Sequence, residues 1–133
     1  MTSLPKIERD EVSAAFFDAA ASGTLAVRRC ANGHFLPPTQ GFGGPAIRCQ
    51  ICQSPDITWQ PASGSATLVS WVVPHARTGE ATGVAGLVEL AEGPWMNALI
   101  DVEPDAELHA GQALTVCFIP TEGGETVPAF RPA

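Results

Sequence analysis

Apolar positions recur with a helical period near the start of the chain. Val12, Ala15, Phe16, Ala19 and Ala20 follow the i, i+3, i+4, i+7, i+8 spacing of one helix face, which predicts a helix over 8–22. Glu8, Asp10 and Glu11 suit its positive N-terminal end, and Gly23 is a stop signal. Phe16 and Phe17 are adjacent and point about 100° apart on a helix. With Phe16 packed inward against Val12 and Ala19, Phe17 faces outward as a partner contact; the opposite assignment exchanges the two. The helix is read either as a cover for the body of the protein or as a docking element.

Residues 25–59 have no such period. Cysteines, Pro37-Pro38 and the glycines of GFGG dominate, and the apolar side chains are too few for a separate core. A bound metal supplies folding energy to segments of this kind. From residue 64 the texture becomes β. Apolar, β-branched and aromatic runs cover 64–73, 83–90, 95–102 and 114–119, with 126–130 as a fifth. Turn signals separate them, among them Glu92-Gly93-Pro94 and Glu122-Gly123-Gly124. Five short strands without a crossover helix predict a small barrel, with the OB-fold as the natural form and an SH3-like barrel or small sandwich as alternatives. The expected fold class is mainly β: an N-terminal helical segment (1–24), a zinc-ribbon-like module (25–59) and a five-stranded OB-fold barrel (60–133).

Charge sharpens this division. The net charge of the 133-residue chain is −7. Lys6, Arg9, Arg28, Arg29 and Arg48 balance the acids before residue 60, whereas only Arg77 and Arg131 face nine acidic groups after it. That is a poor surface for a phosphate backbone, so no nucleic-acid partner is expected. No signal peptide and no membrane-length apolar run are visible, and the expected compartment is cytoplasmic. Cysteines in reducing surroundings point to metal or core packing before disulfides.

Cys49-Gln50-Ile51-Cys52 is a CxxC, and nineteen positions upstream stands Cys30-Ala31-Asn32-Gly33-His34. A regular ribbon has cysteine where this chain has Gly33. The imidazole reaches farther than a thiolate, so Cys30, His34, Cys49 and Cys52 form the expected Cys₃His zinc site, structural because all four positions are protein ligands. The alternatives are a redox dithiol, a metal-free ribbon, and a three-cysteine site completed by water. Cys117, inside LTVCFI, reads as a buried core thiol. His75 and His109 read as exposed turn residues, and Trp71 and Phe118 as core. No GxSxG, GxGxxG or phosphate-loop motif is present, so no catalytic residues are expected on this chain.

The order of these parts resembles the microbial acyl-CoA-associated OB-fold proteins with an N-terminal rubredoxin-like zinc ribbon. The residues that carry the resemblance are RRCANGH, Pro37-Pro38, CQICQS, Trp59, Ser63-Gly64, GLVELAEGPWMNALI, the 111–119 strand and the closing PAFRP. The resemblance implies a non-catalytic accessory subunit of a thiolase, thiolase-like aldolase or hydroxymethylglutaryl-CoA synthase-type enzyme. Its barrel would help bind or channel the acyl-CoA thioester, and the catalytic residues would lie on the partner. A pantetheine arm is neutral and amide-rich, so an apolar slot with few polar groups suits it. Arg77 and Arg131 are the candidate cations for the CoA phosphates. The other class of reading is a stand-alone OB-fold module for a small ligand or single-stranded nucleic acid.

Overall fold

The computed structural model describes residues 13–39, 47–122 and 124–133. The described residues form one helix, α1 (Ala14–Ala21), and eight strands: β1 (Ala26–Cys30), β2 (Phe35–Leu36), β3 (Ile57–Pro61), β4 (Ser65–Val72), β5 (Ala85–Leu90), β6 (Trp95–Ile100), β7 (Ala113–Pro120) and β8 (Thr126–Pro132).

The end of α1 is set by Gly23, as the sequence suggests. Gly23 has φ of 81°, its N–H reaches the carbonyl of Ala20, and the N–H of Thr24 reaches that of Ala19. This pair of bonds is a Schellman motif, which needs the left-handed conformation that glycine adopts without a Cβ penalty. The expected start of the helix, with Val12, lies outside the described residues. The helix packs on both β1 and β8, and this overturns one expectation. Phe17 is not the outward ring: Phe16 is 3% and Phe17 6% exposed. Rings 100° apart are both buried because the helix sits in the angle between two bodies. They meet edge to face at 5.4 Å, and Phe16 also lies 6.0 Å from Trp59.

Strands β2, β1 and β3 form an antiparallel sheet in that order. Arg28, in the middle of β1, is buried. Its guanidinium lies 4.9 Å from the Trp59 ring centre and donates to the carbonyls of Pro37 and Pro38 at 3.3 and 3.2 Å. A residue that the sequence offers as one more surface charge is thus the tie between the sheet and the 37–38 segment. Burial pushes its pKa down from the ordinary arginine value.

The remaining strands close into a barrel of order β4-β5-β6-β8-β7, with β7 pairing back onto β4. Neighbours are antiparallel except β6 and β8, which run parallel. Counted within the barrel this order is 1-2-3-5-4, the Greek-key closure of an OB-fold. Leu68, Val88, Leu90, Ile100, Leu114 and Phe130 fill the interior. Leu25 and Val27 from the ribbon belong to the same packed cluster, as do both helix phenylalanines. Among the described residues, no helix is long and apolar enough to cross a membrane.

One core expectation needs revision. A bulge between Leu68 and Ser70 shifts the register of β4, so that Trp71 lies opposite Gly86 and is 39% exposed rather than core. Cys117 is buried, as expected, though on the side of β7 away from the barrel interior. Leu114, Val116 and Phe118 are its core-packed neighbours along β7, and Cys117 alternates with them on the outer side, opposite Ala129.

Candidate metal centre and barrel face

The four sequence-predicted ligands come together. Cys30 closes β1, and a turn stabilised by Gly33 N–H to Cys30 O and Cys30 N–H to His34 O brings His34 back beside it. Cys49 and Cys52 sit on a second turn, held by Gln53 N–H to Cys49 O and Cys49 N–H to Ser54 O. Pairing of Cys30 with Ile57 brings β3 alongside and leads the chain out of the second turn.

The ligand atoms of Cys30, His34, Cys49 and Cys52 all lie within 4.8 Å of one another. Cys30 Sγ is 3.4 Å from His34 Nδ1 and 3.7 Å from Cys52 Sγ, and Cys49 Sγ is 3.6 Å from His34 Nδ1. A tetrahedral ion with metal–sulfur bonds of about 2.3 Å and metal–nitrogen bonds of about 2.0 Å separates its donors by about 3.5–3.8 Å. The spacing fits such an ion. A disulfide needs sulfurs about 2.05 Å apart, and all four cysteines are free. The cluster could therefore hold a metal ion.

Gly33 explains how histidine takes the cysteine's place. Its φ is +88°, and a Cβ there would meet Arg29 Nη2 at 3.2 Å. The left-handed turn at 33 hands the ligand role to the next residue. The sulfurs are also supported: the Asn32 side-chain amide donates to Cys52 Sγ at 3.2 Å, and the His34 N–H donates to Cys30 Sγ at 3.4 Å. The Asn32 amide, with the Ser54 backbone N–H, holds the Cys52 thiol down to about 6. Hydrogen bonding to Cys52 and Cys30 raises the His34 imidazole above its ordinary value. An ion bound here would have to displace the imidazole proton that these contacts favour, since a histidine ligand is neutral. Nothing in the spacing of the ligands points to Asn32; its place between Cys30 and His34 is the one available signal.

The other singled-out residues lie elsewhere. Arg77 is exposed in the 73–84 connection, near the isolated bridge between His75 and Ala81. Arg131 Nη2 is 3.9 Å from Asp101 Oδ2, and Cys117 Sγ is 4.0 Å from the same oxygen. His75 and His109 are both exposed, as expected, His75 within that bridge and His109 just before the turn at Ala110.

Residues 59–118 match the family described as "ChsH2, C-terminal OB-fold domain". Among solved structures, the chain is similar to one described as "Ltp2-ChsH2(DUF35) aldolase". The identity is 28% and the TM-score 0.75, over 97% of this chain and 98% of that one. It is also similar to a protein of unknown function from the DUF35 family of Sulfolobus solfataricus, at 11% identity and a TM-score of 0.59 over 81% of this chain and 78% of that one, a likeness of fold. No curated protein sequence matches. The resemblance read from the sequence is borne out, as is the expected barrel with its ribbon-like cysteine cluster.

Proposed function

We propose that this chain, whose barrel is an OB-fold of the ChsH2 C-terminal family, is the accessory subunit of a thiolase-like, CoA-dependent enzyme and carries none of its catalytic residues. The observation that supports this reading is the end-to-end likeness, over 97% of this chain, to a chain of an Ltp2-ChsH2 aldolase. The groups on the chain agree with it. Cys117 faces an ion pair of Asp101 and Arg131 rather than a histidine base, and His75 and His109 are both exposed. In this reading the barrel helps receive the acyl-CoA thioester, with Arg77 and Arg131 as candidate cations for its phosphates. Zinc is the ion for the Cys30–His34–Cys49–Cys52 cluster: three thiolates and an imidazole are its preferred donors. The ion is structural, since four protein ligands leave no open position. The subunit works in the cytoplasm, where its thiols stay reduced.

Co-expression with a candidate thiolase-like subunit tests the proposal. The expected result is a stable complex that condenses or cleaves acyl-CoA thioesters, while the isolated chain has no activity. Turnover by the pure chain, abolished by Cys117→Ser, would overturn it. A stand-alone module for single-stranded nucleic acid is the weaker reading: the outward residues Ser70, Val72, Leu87, Asn97 and Leu99 offer no cation to a phosphate.

A further inference from the structure

The register of the barrel places one row of outward residues around its wall. Val72 lies opposite Ala85 and Ala85 opposite Leu99; past Leu99 the row runs into Ala129 and Cys117, which are buried, so the open part of the row is that of β4, β5 and β6. The next row reads Ser70, Leu87, Asn97. An antiparallel wall that faces water ordinarily carries polar side chains on that side. Here none of the residues named in the two rows is charged. On β4, β5 and β6 the two rows line a shallow, open groove of about 640 Å³ with Trp71 at its lip. Val72 is 61% and Trp95 48% exposed, and the Trp95 indole is anchored by a 2.7 Å hydrogen bond to Glu89 at the groove's margin.

This shape decides among occupants. A small-molecule site encloses most of its ligand, and this groove is open along its length. A second copy of the chain is disfavoured by charge. Each copy carries −7, and each barrel half sets nine acidic groups against Arg77 and Arg131. The complement is an apolar ridge edged with lysine or arginine on a different protein. We propose that the outer face of β4–β5–β6, centred on Val72, Leu87 and Leu99, is the surface by which this chain docks on its thiolase-like partner. The assignment rests on the accessory-subunit reading. It moves the dock from the helix, whose rings are buried, to the barrel wall. Exposed tryptophans beside an uncharged groove are the kind of anchor that dominates such interfaces.

The test uses the full chain and the co-expressed thiolase-like subunit, with affinity measured by calorimetry at fixed salt. Val72→Asp changes an exposed side chain and should leave the melting temperature unchanged. It should weaken binding at least tenfold, and Leu87→Asp should do the same. Ile51→Asp, at the exposed tip of the cysteine turn, should have no effect on affinity. Raising salt should weaken the wild-type complex, because its rim is ionic. Failure of the wild-type chain to bind any thiolase-like subunit would remove the accessory reading itself. Wild-type binding that survives both Val72→Asp and Leu87→Asp within twofold would remove this surface and leave that reading standing. Two further outcomes also overturn the proposal: a dimer of the free chain, or coenzyme A binding by the free chain, that Val72→Asp abolishes.

Discussion

Gly33 is the residue on which the ribbon's chemistry turns, and it sets a test that runs against intuition. Restoring a cysteine there would complete a CxxC in the sequence. In the structure it would force a side chain into a φ of +88° and against Arg29. Gly33→Cys should destabilise the chain by about 1–2 kcal/mol, the cost of the left-handed region for a non-glycine residue. If the cluster holds the proposed zinc, metal content should stay at one ion per chain, because His34 already stands at the fourth position. Urea denaturation with elemental analysis reads both. Phe17 makes a second test. Its burial predicts that Phe17→Ala costs about 3–5 kcal/mol. That is a large fraction of the stability of a small domain. Phe17→Glu should then fail to fold rather than merely lose a partner, as circular dichroism would show. Nothing in the sequence distinguished the two phenylalanines. Their spacing fixes the angle between them, but not the number of walls the helix meets.

At the scale of elements, the barrel was legible and the ribbon only half so. All five barrel strands fall within the predicted runs or extend them by one or two residues, because β-branched stretches bounded by Gly and Pro are strong local signals. The ligand set was legible for the same reason: a CxxC turn and a CxxxH turn are local geometry. The three-stranded ribbon sheet was not, since strands of two to five residues leave no periodic trace. The bulge in β4, which carries Trp71 to the rim, and the outward register of Cys117 were also hidden. Both depend on which neighbour a strand pairs with. The ribbon also divides in a way that bears on metal removal. Cys30, Leu36 and Cys49 form a small cluster of their own, whereas Leu25 and Val27 pack into the barrel core. Chelation, or Cys52→Ala, should therefore loosen 30–57 and spare the base of β1. Hydrogen exchange should show amides near the cysteine turns exposed within minutes, while those of Val27 and of β4–β8 keep their protection.

In the whole molecule, ribbon, helix and barrel share one core, so the division of charge between the two halves does not divide the protein mechanically. The parallel pairing of β6 with β8, and the seating of α1 on β8, add a constraint of a different kind. A ribosome makes the chain in one direction. Of the described strands, residues 126–132 are the last to emerge, yet they complete the barrel and provide one wall for α1. Until then Phe16 and Phe17 lack that wall, and β6 and β7 each keep an unpaired edge. Long-range closure of this type is slow and leaves sticky surface open in the meantime. A nascent chain arrested at residue 125 should be cut readily by protease throughout the barrel, and one in which residues 126–133 have cleared the ribosome should resist. Closure of the barrel, and burial of the helix phenylalanines, therefore waits until 126–132 has cleared the ribosome.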